Sequence, residues 1–230
     1  MEQIVTLSYI IAAILFVFGI KMLGNASTAR NGNLISSMGM ALAIIVTLLD
    51  SSLSYVLIIA ALAAGGGIGF IAAKRVQMTG MPELVALFNG FGGLASLLVG
   101  LAEFQRVYAA QAIDPAVLEM MPNIEATISS FTAAVIVLAI LIGGITFTGS
   151  IYAWGKLSGK LGGKALTFPG QKAFNAVLAL GIIGTGIAFA IDPTGSIGYP
   201  VLAAVIVLSL LLGAFAVMPI GGGDMPVVIS

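Results

Sequence analysis

Two stretches of this chain set a carboxylate beside a Met-Pro step at the start of an apolar run. Met81-Pro82-Glu83 opens the first, and Leu84 to Phe88 leads on to an amide, Asn89. Asp224-Met225-Pro226 opens the second, which runs to Ser230. If the first run is a membrane helix, Asn89 stands roughly 10 Å inside Pro82 at about 1.5 Å per residue. An uncharged polar group at that depth needs a hydrogen-bond partner or a function. On the same helix Asn89, Gly93, Ser96 and Gly100 fall at i, i+4, i+7 and i+11, a single small and polar stripe. Two readings fit the stripe. It is a packing seam in which Asn89 bonds a neighbouring helix, or a site that orders water and relays protons. Glu125, Ser129 and Thr132 form a second stripe at the head of a later run. Glu125 there is either an acid at the positive end of a helix or an outer mouth for protons. Thr146, Thr148 and Ser150 are expected to bond back to their own helix. The candidate proton line therefore has Glu125 at one end, Asn89 and Ser96 within, and Glu83 and Asp224 at the other.

The elements that carry these residues follow from composition. The chain is 60% hydrophobic and 8% charged, where soluble domains carry about 25% charged residues. It cannot cover a water-facing surface, and an all-α polytopic membrane bundle is expected. Thirty glycines suit closely packed helices. Zero formal net charge offers nothing to nucleic acid. Without cysteine there are no disulfides and no thiolate metal ligands, and no metal site is expected. Histidine, the side chain suited to proton exchange near neutral pH, is also absent.

Seven stretches are long enough to span at ~20 residues per crossing: 3–23, 33–49, 53–73, 82–102, 125–152, 173–190 and 198–219, with an eighth beginning near Asp224. The acidic start and the length of the first run mark a retained helix rather than a signal peptide. Lys21 and Arg30, Lys74 and Arg75, and Lys156, Lys160, Lys164 and Lys172 fall on alternate linkers. That asymmetry makes those linkers cytoplasmic and puts the N-terminus outside. Both Met-Pro phrases then start at the cytoplasmic face. No linker is long enough for a soluble domain. Gly67 to Lys74 and Gly149 to Lys156 hint at an internal repeat, each ending on a lysine seven residues after a glycine. Gly65-Gly66-Gly67-Ile68-Gly69 lies inside a span, so it lacks the strand and helix start a dinucleotide loop requires.

Several motifs resemble, in order, the membrane domain of the beta subunit of proton-translocating NAD(P) transhydrogenase. They are Ser8 to Phe16, Val76 to Asn89, Thr146 to Ser150 with Gly155 to Lys160, and Gly222 to Val228. The resemblance implies a module that couples transmembrane proton movement to hydride transfer between NAD(H) and NADP(H). It implies that residues 1–230 are a transmembrane proton-channel domain, incomplete at its C-terminal end and lacking the soluble nucleotide domain. NAD and NADP would bind soluble domains of the whole enzyme, so this stretch has no redox site and no cofactor of its own. The implied partners are alpha-subunit membrane helices, the NADP(H)-binding domain at the cytoplasmic face, and a second alpha–beta unit, in the inner (plasma) membrane. Asn89 stands where many relatives have a histidine regarded as a proton carrier. Asp224 matches an acid thought to communicate with the NADP(H) domain, and Glu125 an acid at the start of the fifth span. An amide does not titrate, so Asn89 would hold water, and a histidine of the alpha subunit is the expected carrier beside it. Two other classes remain open: a secondary transporter of ions or small solutes, with paired broken helices, and a structural membrane subunit whose stripes are only seams.

Overall fold

The computed structural model describes residues 2–49, 54–111, 113 and 127–225, and among them every long element is a helix. The chain divides into two compact parts, Met1–Ile71 and Ala72–Ser230.

In the first part α1 (Glu2–Leu23) and α2 (Ala29–Thr47) form an antiparallel pair. Thr28 closes the turn, its hydroxyl donating to the Met22 carbonyl at 2.6 Å. At the far end Tyr9 and Thr47 share a hydroxyl–hydroxyl bond of 2.8 Å. α3 (Tyr55–Arg75) presents no buried residue, and a Cβ built on Gly65, Gly66, Gly67 or Gly69 meets nothing within 4 Å. These glycines lie in the helix interior, as the rejection of a dinucleotide loop requires.

In the second part a 3₁₀ turn (Met78–Gly80) leads into α4 (Met81–Ala110), followed by α5 (Ser130–Leu157), α6 (Gln171–Ile191) and α7 (Gly198–Val217). α4 packs on α5, α5 on α7, and α7 on α6. Phe104, Ile136, Ile140, Phe189, Leu202 and Val205 form the buried centre, each no more than 1% exposed. Outward faces are apolar too: Phe131 is 80% exposed and Ile191 78%. A surface of that kind belongs against lipid.

Pro82 sits in the first turn of α4, where its missing N–H costs nothing. Gly170 takes φ 83° at the N-cap of α6, a left-handed conformation open to glycine at no steric cost. Ser129 caps α5, its hydroxyl accepting from the Thr132 amide at 3.1 Å and sharing a 2.9 Å bond with the Thr132 hydroxyl. Ser129 and Thr132 thus close a helix end instead of continuing a polar stripe, and Glu125 lies outside the described residues.

Seven long helices are present among the described residues, and six are long and apolar enough to cross a membrane. The exception is α2, whose first turns carry Arg30, Asn31 and Asn33. Several expected boundaries move: α2 begins at Ala29 instead of 33, and α5 at Ser130 instead of 125. α4 continues past residue 102 to Ala110 because Glu103 and Arg106 neutralise each other along the helix, with Arg106 Nε and Nη2 reaching the carboxylate at 3.0 and 2.7 Å. α5 runs through Lys156, which the charge pattern assigned to a linker. The repeat signalled by Gly67 and Gly149 is not matched in surroundings: a Cβ on Gly67 would meet nothing within 4 Å, whereas one on Gly149 would meet Val217 at 3.1 Å.

Thr148 joins α5 to α7. Its hydroxyl lies 3.0 Å from the Gly144 carbonyl and 2.7 Å from the Leu210 carbonyl. Thr148→Val keeps the shape and removes the donor, and inter-helix hydrogen bonds in membranes contribute about 0.6–1.7 kcal/mol. Unfolding in detergent should show a loss of about 1 kcal/mol, and an unchanged midpoint would place the donor's whole worth in its local bond.

Candidate functional site

α4 and α5 run antiparallel, whereas α5 and α7 run parallel, Thr148 meeting Leu210 and Lys156 meeting Met218. Glu83, at the start of α4, therefore stands at the same end of the bundle as Lys156, Gln171 and Asp224. Asn89 Nδ2 donates to Ser150 Oγ at 2.8 Å. Ser150 is 6% exposed, whereas Asn89 is exposed on its other side. The rest of the α4 stripe lies on one face, as its spacing predicts, and that face meets α5. A Cβ on Gly93 would stand 2.8 Å from the Gly143 carbonyl oxygen, and one on Gly143 2.5 Å from that of Gly93. Ser96 Oγ donates to the Ala139 carbonyl at 3.1 Å, and a Cβ on Gly100 would stand 3.2 Å from the Ile136 carbonyl. These four positions form a seam so close that backbone meets backbone.

A cleft of about 180 Å³ opens at the Asn89 end of this seam, lined by Asn89, Ile145, Thr146, Gly149, Ser150, Ala153 and Val217. A water molecule occupies about 30 Å³ in the liquid, so several fit. The cleft offers them the Asn89 amide and the Ser150 and Thr146 hydroxyls, enough polar partners to order a short file.

Ser150 departs from its expected role, since it receives a hydrogen bond from another helix. Thr148 makes the expected local bond together with one to α7. The signal for Ser150 lay in its own periodicity: Thr146, Gly149, Ser150 and Ala153 fall at i, i+3, i+4 and i+7, a small polar stripe like that on α4. Lys156 was also missed as a functional position, because a lysine after an apolar run reads as a water-facing residue. It is 3% exposed.

Glu83 and Asp224 stand apart from the seam. Glu83 is half-buried in the first turn of α4, where the positive end of the helix favours an acid. Asp224 is exposed on the turn after α7, its amide donating to the Gly221 carbonyl at 3.1 Å. Among the described residues no hydrogen bond or ion pair links either acid to Asn89 or to the other. The described Asp and Glu residues form no group of three that could hold a metal ion. The Gly65 to Gly69 run is interior to α3, not at a strand-to-helix turn.

A bundle of membrane-length helices with apolar outward surfaces and one small, polar seam beside a water-sized cleft defines the class: a polytopic helical membrane protein. A family profile described as NAD(P) transhydrogenase beta subunit matches residues 5–230. Two relatives described as NAD(P) transhydrogenase subunit beta, one from Rhodospirillum rubrum and one from a strain of that species, are each 38% identical over 229 residues. The alignment covers 97% of this chain and 45% of each relative, so the chain spans about half the length of the curated relatives it matches. This chain belongs to the NAD(P) transhydrogenase beta subunit family.

Proposed function

We propose that this chain is the membrane proton-translocating module of an NAD(P) transhydrogenase, which couples proton movement across the membrane to hydride transfer between NAD(H) and NADP(H). The observation that carries the reading is the Asn89–Ser150 pair beside a water-sized cleft, in a chain of the beta subunit family. Asn89 and Ser150 hold a short file of water, and Thr146 and Ser96 extend the polar lining. Neither amide nor hydroxyl titrates near neutral pH. The carrier is a histidine from an alpha-subunit membrane helix that covers the exposed side of Asn89. Glu83 and Asp224 form the inner mouth and Glu125 the outer one. The N-terminus lies outside, and α2 and a helix starting at Asp224 complete eight crossings in the inner membrane. The nucleotides bind soluble domains beyond these residues, in a dimer of alpha–beta units. The secondary-transporter reading requires paired broken helices, and α4 to α7 are each continuous.

Asp224→Asn tests the coupling role. Asp224 is exposed, so stability should hold within about 0.5 kcal/mol. In proteoliposomes carrying the whole enzyme, protons moved per hydride transferred should fall about fivefold, with a matching change in NADP(H) affinity. Equal NADP(H) affinity together with normal pumping would refute the assignment.

A further inference from the structure

Lys156 is a buried cation that the proton line leaves unused. Its ammonium donates to the Met218 carbonyl and, at 2.7 Å, to the Ile220 carbonyl. Among the described residues no carboxylate pairs with it. Its charge is met instead by the negative end of α7, whose last carbonyls lack partners within the helix. Other elements converge on the same end. Gln171 Nε2 donates to the Phe215 carbonyl at 2.9 Å, and the Leu166 amide reaches the Met218 carbonyl at 3.2 Å. The Gly222 amide donates to the Gly163 carbonyl at 2.9 Å. Capping α7 therefore does not require a buried charge, because neutral donors already serve it.

What Lys156 adds is its grip on Ile220, beyond the last turn of α7. Ile220 leads directly into the Gly221–Asp224 turn, so the ammonium fixes the line along which the chain leaves the helix. The same side chain borders the proton line. Ala153 and Val217 line the cleft that holds Asn89 and Ser150, with Lys156 one turn beyond Ala153 and Met218 the residue after Val217. We infer that Lys156 is a positioning residue that ties the Asp224 turn to the wall of the hydrated cleft, so that a shift of one is passed to the other. This rests on the proton-translocating reading for its consequence, though the tie itself does not.

The test uses the whole enzyme in proteoliposomes, with Lys156→Met against wild type and against Lys160→Met, an exposed lysine. Two quantities are read: amide hydrogen exchange over residues 218–225, and protons moved per hydride transferred. Lys156→Met should speed exchange in that segment about tenfold, leaving α4 unchanged, and lower the proton-to-hydride ratio about fivefold. Lys160→Met should change neither. Unchanged exchange overturns the tie. Faster exchange with a wild-type ratio overturns the positioning role and leaves a purely structural cap. If Lys156→Met does not accumulate in the membrane, Lys156→Arg carries the test, since it keeps the charge but moves the donors. Its ratio should fall about twofold, and a wild-type ratio overturns the proposal. Absence of any proton-coupled hydride transfer in the wild-type enzyme would count against the proposed function, a failure the exchange measurement separates from failure of the tie.

Discussion

Gly143→Val should leave no stably assembled bundle of α4 and α5. A Cβ at Gly143 would stand 2.5 Å from the Gly93 carbonyl oxygen and 2.6 Å from the Leu97 nitrogen. Both are backbone atoms of a continuous helix, so no rotamer change relieves the collision and the two helices must separate. Overpacking costs about 1–3 kcal/mol where side chains can shift. Here the backbone must move, and the Ser96 and Asn89 bonds across the seam are lost with it. The expected destabilisation is about 3 kcal/mol or more, read as early unfolding in detergent or a shifted elution profile. Gly92→Ala is the control, because a Cβ there meets nothing within 4 Å, and it should unfold like wild type. Wild-type unfolding of Gly143→Val would mean that the helices do not cross at this point.

Asn89→Leu should abolish most proton movement without unfolding the chain. Asn89 is exposed on one side, so leucine has room, and the Ser150 hydroxyl can turn to the Thr146 carbonyl one helical turn back. The stability cost should stay near 1 kcal/mol, the worth of one inter-helix hydrogen bond. The cleft, however, loses its amide and gains a branched apolar group. Proton relays contribute about 10²–10⁴-fold in rate, so flux through proteoliposomes of the whole enzyme should fall about 100-fold or more. Unchanged flux would reduce the Asn89–Ser150 bond to packing and sink the water-file reading.

Both results turn on one feature, the closeness of α4 and α5. The small residues that let the backbones touch also bring the Asn89 amide within reach of Ser150. Volume added at Gly143 acts on the assembly, and polarity removed at Asn89 acts on the path, so the two variants separate fold from function within one seam.

Much of this was legible in the residues. Periodicity on α4 marked out the face that meets α5, because small groups at a 3.6-residue repeat let two helix backbones approach. The apolar runs located the long helices, since lipid leaves the backbone no alternative to pairing with itself. Helix ends were less legible. Glu103 and Arg106 read as a linker because charges are costly in lipid, and their mutual pairing, which removes that cost, depends on helical spacing they were not credited with. Ser150 was read as bonding locally, since a hydroxyl on an isolated helix has no other acceptor.

By itself the sequence determined the all-helical membrane class, the stripe at Asn89, Gly93, Ser96 and Gly100, and the absence of histidine from these 230 residues. Those are properties of composition and of spacing along a single helix. Only the tertiary structure decided that Asn89 meets Ser150, that a cleft opens beside them, and that Lys156 turns inward to hold the carbonyls beyond α7. Each of these depends on the register of one helix against another. That register is set by backbone contacts between Gly93 and Gly143, residues fifty apart whose missing side chains leave no mark of which glycine faces which.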